Sequence, residues 1–449
     1  MNYLDKHLAP VFMTALLSVA VLTSCTKHNQ VLDLTTITPV PVLDIDTLYA
    51  VRGTATLQPI GGAAWDGSLE GVWNNAPMLK MHAVVPNLGN NTFTGFINNS
   101  TDITMRAVYD ANNIYFLAEF DTPQNNVKSA QWYFNPKQTD MTKKWAQEAT
   151  SSSLTNLNPD GSYRPAFAQD QFTIMFNISS QSFNSLNCYG SCHVNSSYGG
   201  TTTPDGGVMY TNGPTERLDV WRARMLQVAN ENQANDCFID DGSSVGLGSS
   251  GTLDKNQVHS DWQFNNGNSA SVPPSLQSAG IADGGFTNKQ TLVITGTAKK
   301  ANVPIWVIPA GSYTNSAILL SDTLSGKAVR VVGVDSMGVL TLSNASIIDP
   351  GTAVSGTNYQ QVGTGDGVKC IPGSVIGIYT GSRGDVTANA FYTGSGWRIL
   401  LQRKLSTGDN INDVNFISLN DQAFGIGAMF NGADNQHAIV AGLKLRFKK

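Results

Sequence analysis

Charge is scarce in this chain: Asp, Glu, Lys and Arg make up 14% of 449 residues, with 28 Lys and Arg against 33 Asp and Glu and a net charge of −5. The basic residues are scattered, and without a basic stripe the chain lacks the electrostatic footprint of a nucleic-acid binder. His-Glu-x-x-His is missing, as is a convincing carboxylate pair, so a hydrolase reading has little support. The apolar run 11–22 (VFMTALLSVAVL) is too short to span a bilayer as a mature helix. Cysteine is also sparse, with five residues: Cys25, Cys188, Cys192, Cys237 and Cys370.

What is present begins with an export signal. Lys6 and His7 precede the apolar run, which ends in Leu22, Thr23, Ser24 and Cys25, the pattern of a lipoprotein signal peptide. The expectation is a signal over 1–24, lipid on Cys25, a polar tether over 25–48, and the membrane as a partner through that lipid. Thr26 stands where an inner-membrane retention Asp would be, so the expected location is the outer membrane of a diderm bacterium, facing the periplasm or the cell surface. Four cysteines then remain, an even number. In an oxidising envelope either two disulfides form, or Cys188 and Cys192 serve another purpose and Cys237 pairs with Cys370.

Forty-three glycines and short hydrophobic runs set among Thr, Ser and Asn predict an all-β fold of many strands joined by polar turns. TMRAVYD and NIYFLAEFD flank a DANN turn and read as a hairpin, and DQFTIMFNIS (170–179) reads as a further strand. In 217–231, Leu218, Trp221, Met225 and Val228 recur at helical spacing and predict a helix. Residues 242–288 are rich in Gly, Ser and Asn, and strand signals return from 290 to 343, which predicts a long loop and a small inserted β region over 242–365. The stretch 374–447 is a run of strands and turns.

The strand at 170–179 leads directly to Asn-Cys-Tyr-Gly-Ser-Cys-His-Val-Asn (187–195). A c-type haem is held by two cysteine thioethers with the adjacent histidine as axial ligand, usually as Cys-x-x-Cys-His. Here the spacing is one residue longer, and Gly190 and Ser191 allow the loop to bulge. Zinc fits less well, since no second close Cys or His pair is present. Catalytic Cys/His chemistry lacks a visible orienting partner. A Cys188–Cys192 disulfide with His193 at the surface remains the alternative.

Several segments taken in order resemble the haem-binding domain of the ethylbenzene dehydrogenase gamma-subunit family, which includes the haem subunits of dimethyl sulfide dehydrogenase and selenate reductase. They are WDGSLEGVWNNAP (65–77), the 104–121 strand pair, DQFTIMFNIS, CYGSCH followed by LDVWRARM, WRILLQRKLSTGDNINDVNF, and FGIGAMFNGADNQHA. The longer cysteine spacing and the 242–365 region depart from the family pattern. The resemblance implies a β-sandwich similar to family 9 carbohydrate-binding modules, built from 49–241 and 366–449, with haem-binding loops at one end. It implies one covalent haem c on Cys188 and Cys192, with His193 as axial ligand and His437 as the second; Met209 is the rival to His437. Gamma subunits use a Met and a Lys in these roles. Trp221 would pack on the porphyrin and Arg222 or Arg224 would pair with its propionates, or these three are one apolar and two solvated positions of a short helix. Arg403 is expected to be structural, pairing with Asp409 or Asp413.

The function expected is a lipid-anchored c-type cytochrome that carries single electrons to a redox partner protein and is not itself an enzyme. The competing expectation is a haem-free lipoprotein that binds glycans through its sandwich, with Trp73, Trp132 or Trp397 stacking on sugar rings.

Overall fold

The computed structural model describes residues 46–86, 98–123, 125–127, 130–134, 138–147, 169–181, 183, 215–239, 259–260, 285–309, 317–350, 370–430 and 437–449. Cys25, Cys188, Cys192, His193 and Met209 lie outside these residues.

Twelve strands form the main sheet, numbered in chain order: β1 (Thr47–Arg52), β2 (Leu79–Val84), β3 (Ser100–Tyr109), β4 (Asn113–Asp121), β5 (Gln171–Asn177), β6 (Leu218–Arg224), β7 (Asn235–Ile239), β8 (His259–Ser260), β9 (Thr387–Tyr392), β10 (Gly396–Lys404), β11 (Gln422–Met429) and β12 (His437–Phe447). Their spatial order is β8-β7-β6-β5-β11-β12-β1-β3-β4-β10-β9, with β2 alongside β12 and β3. The β3–β4 hairpin forms where the DANN turn predicts it. Asp110 Oδ1 accepts from the backbone N–H groups of Asn112 and Asn113, both at 2.8 Å, which makes it an Asx-type turn.

The sheet folds over on itself into two layers. Phe116 and Phe120 of β4 meet Trp221 of β6 and Phe172 of β5 at ring separations of 5.6 and 6.2 Å, although these strands lie far apart along the sheet. Strand alternation puts Phe172, Ile174 and Phe176, all fully buried, on one face of β5 and Thr173 and Met175 on the other, where Met175 is also buried. The fold is thus an all-β sandwich, as the composition predicted. A hydrogen-bonded seam brings the two ends of the sheet together. Ala234 N donates to Val386 O and Ala388 N donates to Asn232 O, and Asn389 links Asn232 to Gln58.

Two readings of the sequence are corrected here. Residues 218–224 form a strand, and the helix, α1, covers only Met225–Glu231. The apparent helical period arose because β6 is buried along most of its length on both faces, with Leu218 and Val220 on one and Asp219, Trp221 and Ala223 on the other, so it shows no alternation. β1 begins at Thr47, inside the stretch read as tether, and pairs in parallel with both β12 and β3.

A second hydrophobic core contains Ile294, Val303, Val331, Leu340 and Val375 together with Trp132, Phe134 and Trp145. It is wrapped by short strands, among them Trp132–Phe134, Trp145–Gln147, Gln290–Val293, Lys300–Val303, Val329–Val334 and Leu340–Leu342. Both of its tryptophans are tied to backbone from the later region: Trp132 Nε1 donates to Asn288 O at 2.6 Å and Trp145 Nε1 to Gly338 O at 2.7 Å. The region after 285 is therefore built around side chains from 132–145.

Candidate functional site

The two sequence motifs, LDVW and WRILLQRKLSTGDNINDVNF, meet inside the sandwich. β6 directs Asp219 and Trp221 inward, and β10 directs Arg403 toward them. Arg403 Nη1 lies 2.7 Å from Asp219, 3.2 Å from Asp236 and 3.6 Å from Asp413. Nη2 donates to Val414 O at 2.8 Å, and the guanidinium stacks 4.6 Å from the Trp221 ring. Asp219 Oδ2 also accepts from Val414 N at 2.9 Å, which fixes the loop after β10 as a non-strand connection. Arg403, Asp219 and Asp236 are all fully or almost fully buried.

Three carboxylates surround one guanidinium, so the group is short of positive charge. Burial pushes the Asp219 carboxyl well above the usual carboxylate range even with Arg403 beside it, and Asp413 is raised for the same reason. The three acidic oxygens lie within 4.8 Å of one another. Arg403 already reaches all of them, so this cluster is a structural charge pair of the core. Asp413 was expected as a partner of Arg403. Asp219 and Asp236 were not; Asp219 carried a signal in its place two residues before Trp221, and Asp236 carried none.

A second buried acid, Asp170, precedes β5. Its Oδ2 accepts from Trp397 Nε1 at 2.8 Å and its Oδ1 from Asn126 Nδ2 at 3.2 Å. Burial pushes its carboxyl up to about 7 against these donors, which act to lower it.

Of the residues singled out from the sequence, Trp221 is fully buried and ringed by Phe116, Phe176, Phe416 and Arg403, an interior position. Arg222 and Arg224 stand on the opposite, outer face of β6. Arg222 Nε donates to Gln171 Oε1 at 2.9 Å, whereas Arg224 Nε is buried with no partner among the described residues. The one strand therefore sends the tryptophan and the arginines in opposite directions.

Cys237 is buried on β7 opposite Val220. Cys370 lies on the strand Cys370–Ile371 opposite Tyr133, and its side chain, like that of His437, is outside the described residues. The connection 184–214, which carries Cys188, Cys192, His193 and Met209, has its flanks pinned together at the Asn177 end of β5. There Ser179 Oγ donates to Thr215 O at 2.8 Å, and Gln181 N donates to Glu216 Oε1 at 3.2 Å. His437 opens β12 opposite Met429, which pairs with Gln171 at the other end of β5. Six residue steps separate those ends, about 20 Å. Trp73, Trp132 and Trp397 are all buried, so none presents a ring face to a sugar.

Comparison with known proteins places this geometry in a family. No curated protein matches the chain. Two solved structures of a family 9 carbohydrate-binding module from Caldicellulosiruptor kristjanssonii, one with glucose and one with cellotriose, are similar over 90% of this chain and over 95% and 93% of theirs, at 8% and 7% identity and a TM-score of 0.26 each. The family model described as ethylbenzene dehydrogenase matches residues 70–440, a span that holds the Cys-Cys-His stretch and both motifs of the buried cluster. This protein belongs to the ethylbenzene dehydrogenase family.

Proposed function

We propose that this chain is a lipid-anchored c-type cytochrome of the bacterial envelope, attached to the outer membrane through Cys25, that passes single electrons to and from a redox partner protein. The observation that carries the reading is the family match over residues 70–440, which encloses Cys188, Cys192 and His193. Those three residues supply the donor set a covalent haem requires: two thiols for thioether bonds and an imidazole for iron. On the described part of the chain, the buried Arg224 Nε without a partner is a donor suited to a propionate. When bound, the haem supplies reversible one-electron chemistry at its iron. The chain's own part is to tether it, orient it and set its surroundings. The buried Arg403 cluster ties the two motif strands, β6 and β10, to each other across the core.

The test is a pyridine haemochrome spectrum of protein made with the cytochrome c maturation system, beside a Cys188→Ala/Cys192→Ala variant. The expected result is a thioether-type α-band in the parent that is lost in the variant. A parent that folds and contains no haem overturns the reading and leaves Cys188 and Cys192 as a disulfide.

A further inference from the structure

The last strand carries its charge on one face. Leu443, Leu445 and Phe447 of β12 turn into the core, so Lys444, Arg446 and Lys448 turn out, three cations at steps of about 7 Å. Lys444 and Lys448 are exposed, and so is Lys449. Only 28 of the 449 residues are Lys or Arg, and elsewhere they are scattered, so an unbroken cationic face on one strand is unusual for this chain. It lies past residue 440, where the family match ends.

Neighbouring residues hold the face in place. Asp421, just before β11, grips Arg446 at both oxygens: Nη2 donates to Oδ2 at 2.6 Å, and Nε lies 3.1 Å from each oxygen. Lys448 Nζ stands 4.7 Å from the centre of the Tyr49 ring. β1 runs alongside in parallel, with Thr47 opposite Lys444 and Tyr49 opposite Arg446. The acids that flank the strip are Asp421 and Asp46, fewer than its cations. A tyrosine set among lysines and an arginine is the chemistry that meets lipid headgroups: the ring sits at the interface and the cations pair with phosphates.

The position of the strip is as informative as its charge. Lys444 N donates to Asp46 O at 3.0 Å, so the stretch that leads from Cys25 joins the folded chain beside this face. We infer that the Lys444, Arg446 and Lys448 face, with Tyr49, lies against the anionic surface of the membrane that the lipid enters. The inference rests on the lipid-anchor reading for its location. A net charge of −5 makes the molecule as a whole repelled by an anionic bilayer, so attraction is confined to the strip and sets the orientation. The anchor keeps the protein at the surface, and a weak local attraction is then enough.

The test is co-sedimentation at low salt with vesicles of phosphatidylglycerol and phosphatidylethanolamine, beside vesicles of phosphatidylcholine. The protein is the processed chain, 25–449, with Cys25→Ser so that no acyl chain contributes. It is expected to prefer the anionic vesicles by about tenfold and to lose the preference in high salt. Lys444→Gln/Lys448→Gln is expected to abolish the preference, at about fivefold per charge. Asp421→Asn removes an acid from the strip and is expected to tighten binding about fivefold, a gain that misfolding does not produce. Equal binding to both vesicle types, or a preference that survives Lys444→Gln/Lys448→Gln, overturns the inference. Acylation of Cys25 is read separately, by intact mass of the chain expressed with its own residues 1–24. An unmodified Cys25 overturns the anchor reading alone, because the lipid-free protein decides the strip.

Discussion

Arg403 holds the interior together because its removal leaves acids behind. Replacing it with methionine strands Asp219, Asp236 and Asp413 in the core with no cation, and breaking a buried ion group in this way costs about 3–5 kcal/mol. Denaturant unfolding of Arg403→Met should show that loss; a change below about 1 kcal/mol would mean the carboxyls are already neutral and the guanidinium is dispensable. The excess of acid also sets a pH dependence. Asp170 is raised to about 7 by burial and Asp385 to about 6 by burial and by Asp413, whereas unfolded carboxyls titrate near 3.8. Between those values the folded chain binds more protons than the unfolded one, so stability falls as pH rises from about 4 to about 7. Asp170→Asn cannot titrate, and its melting temperature should vary less across that window than the parent's. An unchanged slope would exclude Asp170 as a source of the effect. Of these groups, Arg403 and Asp413 were legible in the sequence as a pair. Asp170 was visible only as the first letter of a strand, because nothing in a linear text reveals that Trp397 will point at it.

Among the elements, hairpins were easy to read and the irregular joins were not. DANN announces its own turn through Asp110, and β3 and β4 fall where expected. β6 was mistaken for helix because a strand covered on both faces carries no period, and Trp221 and Leu218 happen to be three apart. β1 was passed over because its pairing is parallel to two strands far off in sequence, β3 and β12, and no local turn signals it. The seam that joins the sheet ends is equally silent, since it depends on amides at 232 and 389 meeting across the fold. Asn389 Oδ1 accepts from Gln58 N at 2.6 Å, and its Nδ2 donates to Gln58 O and Asn232 Oδ1, each at 3.2 Å. Asn389→Ala leaves those buried groups unpaired, at about 1–3 kcal/mol for each group stranded. Hydrogen exchange should locate the damage: the amides of Ala234 and Ala388, which bond across the seam, should lose protection before those of β4 and β10. Uniform loss across the sheet would mean the seam does not open independently.

At the scale of the whole molecule, the order of motifs along the chain was the most legible feature, because LDVW and the RKLSTGD stretch are kept together by one buried contact set and both fall inside the family match. The extent of the second core was not legible. Reading composition alone, the 242–365 region looks like an insertion that could be lifted out. The structure ties it to Trp132, Phe134 and Trp145, which come from a short stretch between β4 and β5 with ordinary composition. All three are buried, and full exposure of aromatic side chains forfeits several kcal/mol of apolar burial. Removing 285–373 and bridging the gap with a Gly/Ser linker should therefore leave an apolar patch on what remains, seen as red-shifted tryptophan fluorescence and concentration-dependent association. Removing 130–147 as well, with a second linker, takes away the exposed rings and should restore a monomer with the β content of the main sandwich. If the first deletion alone is already monomeric with unshifted fluorescence, the second core is a lid over a surface that is stable without it. Failure of the double deletion to recover would show that the sandwich itself depends on that core.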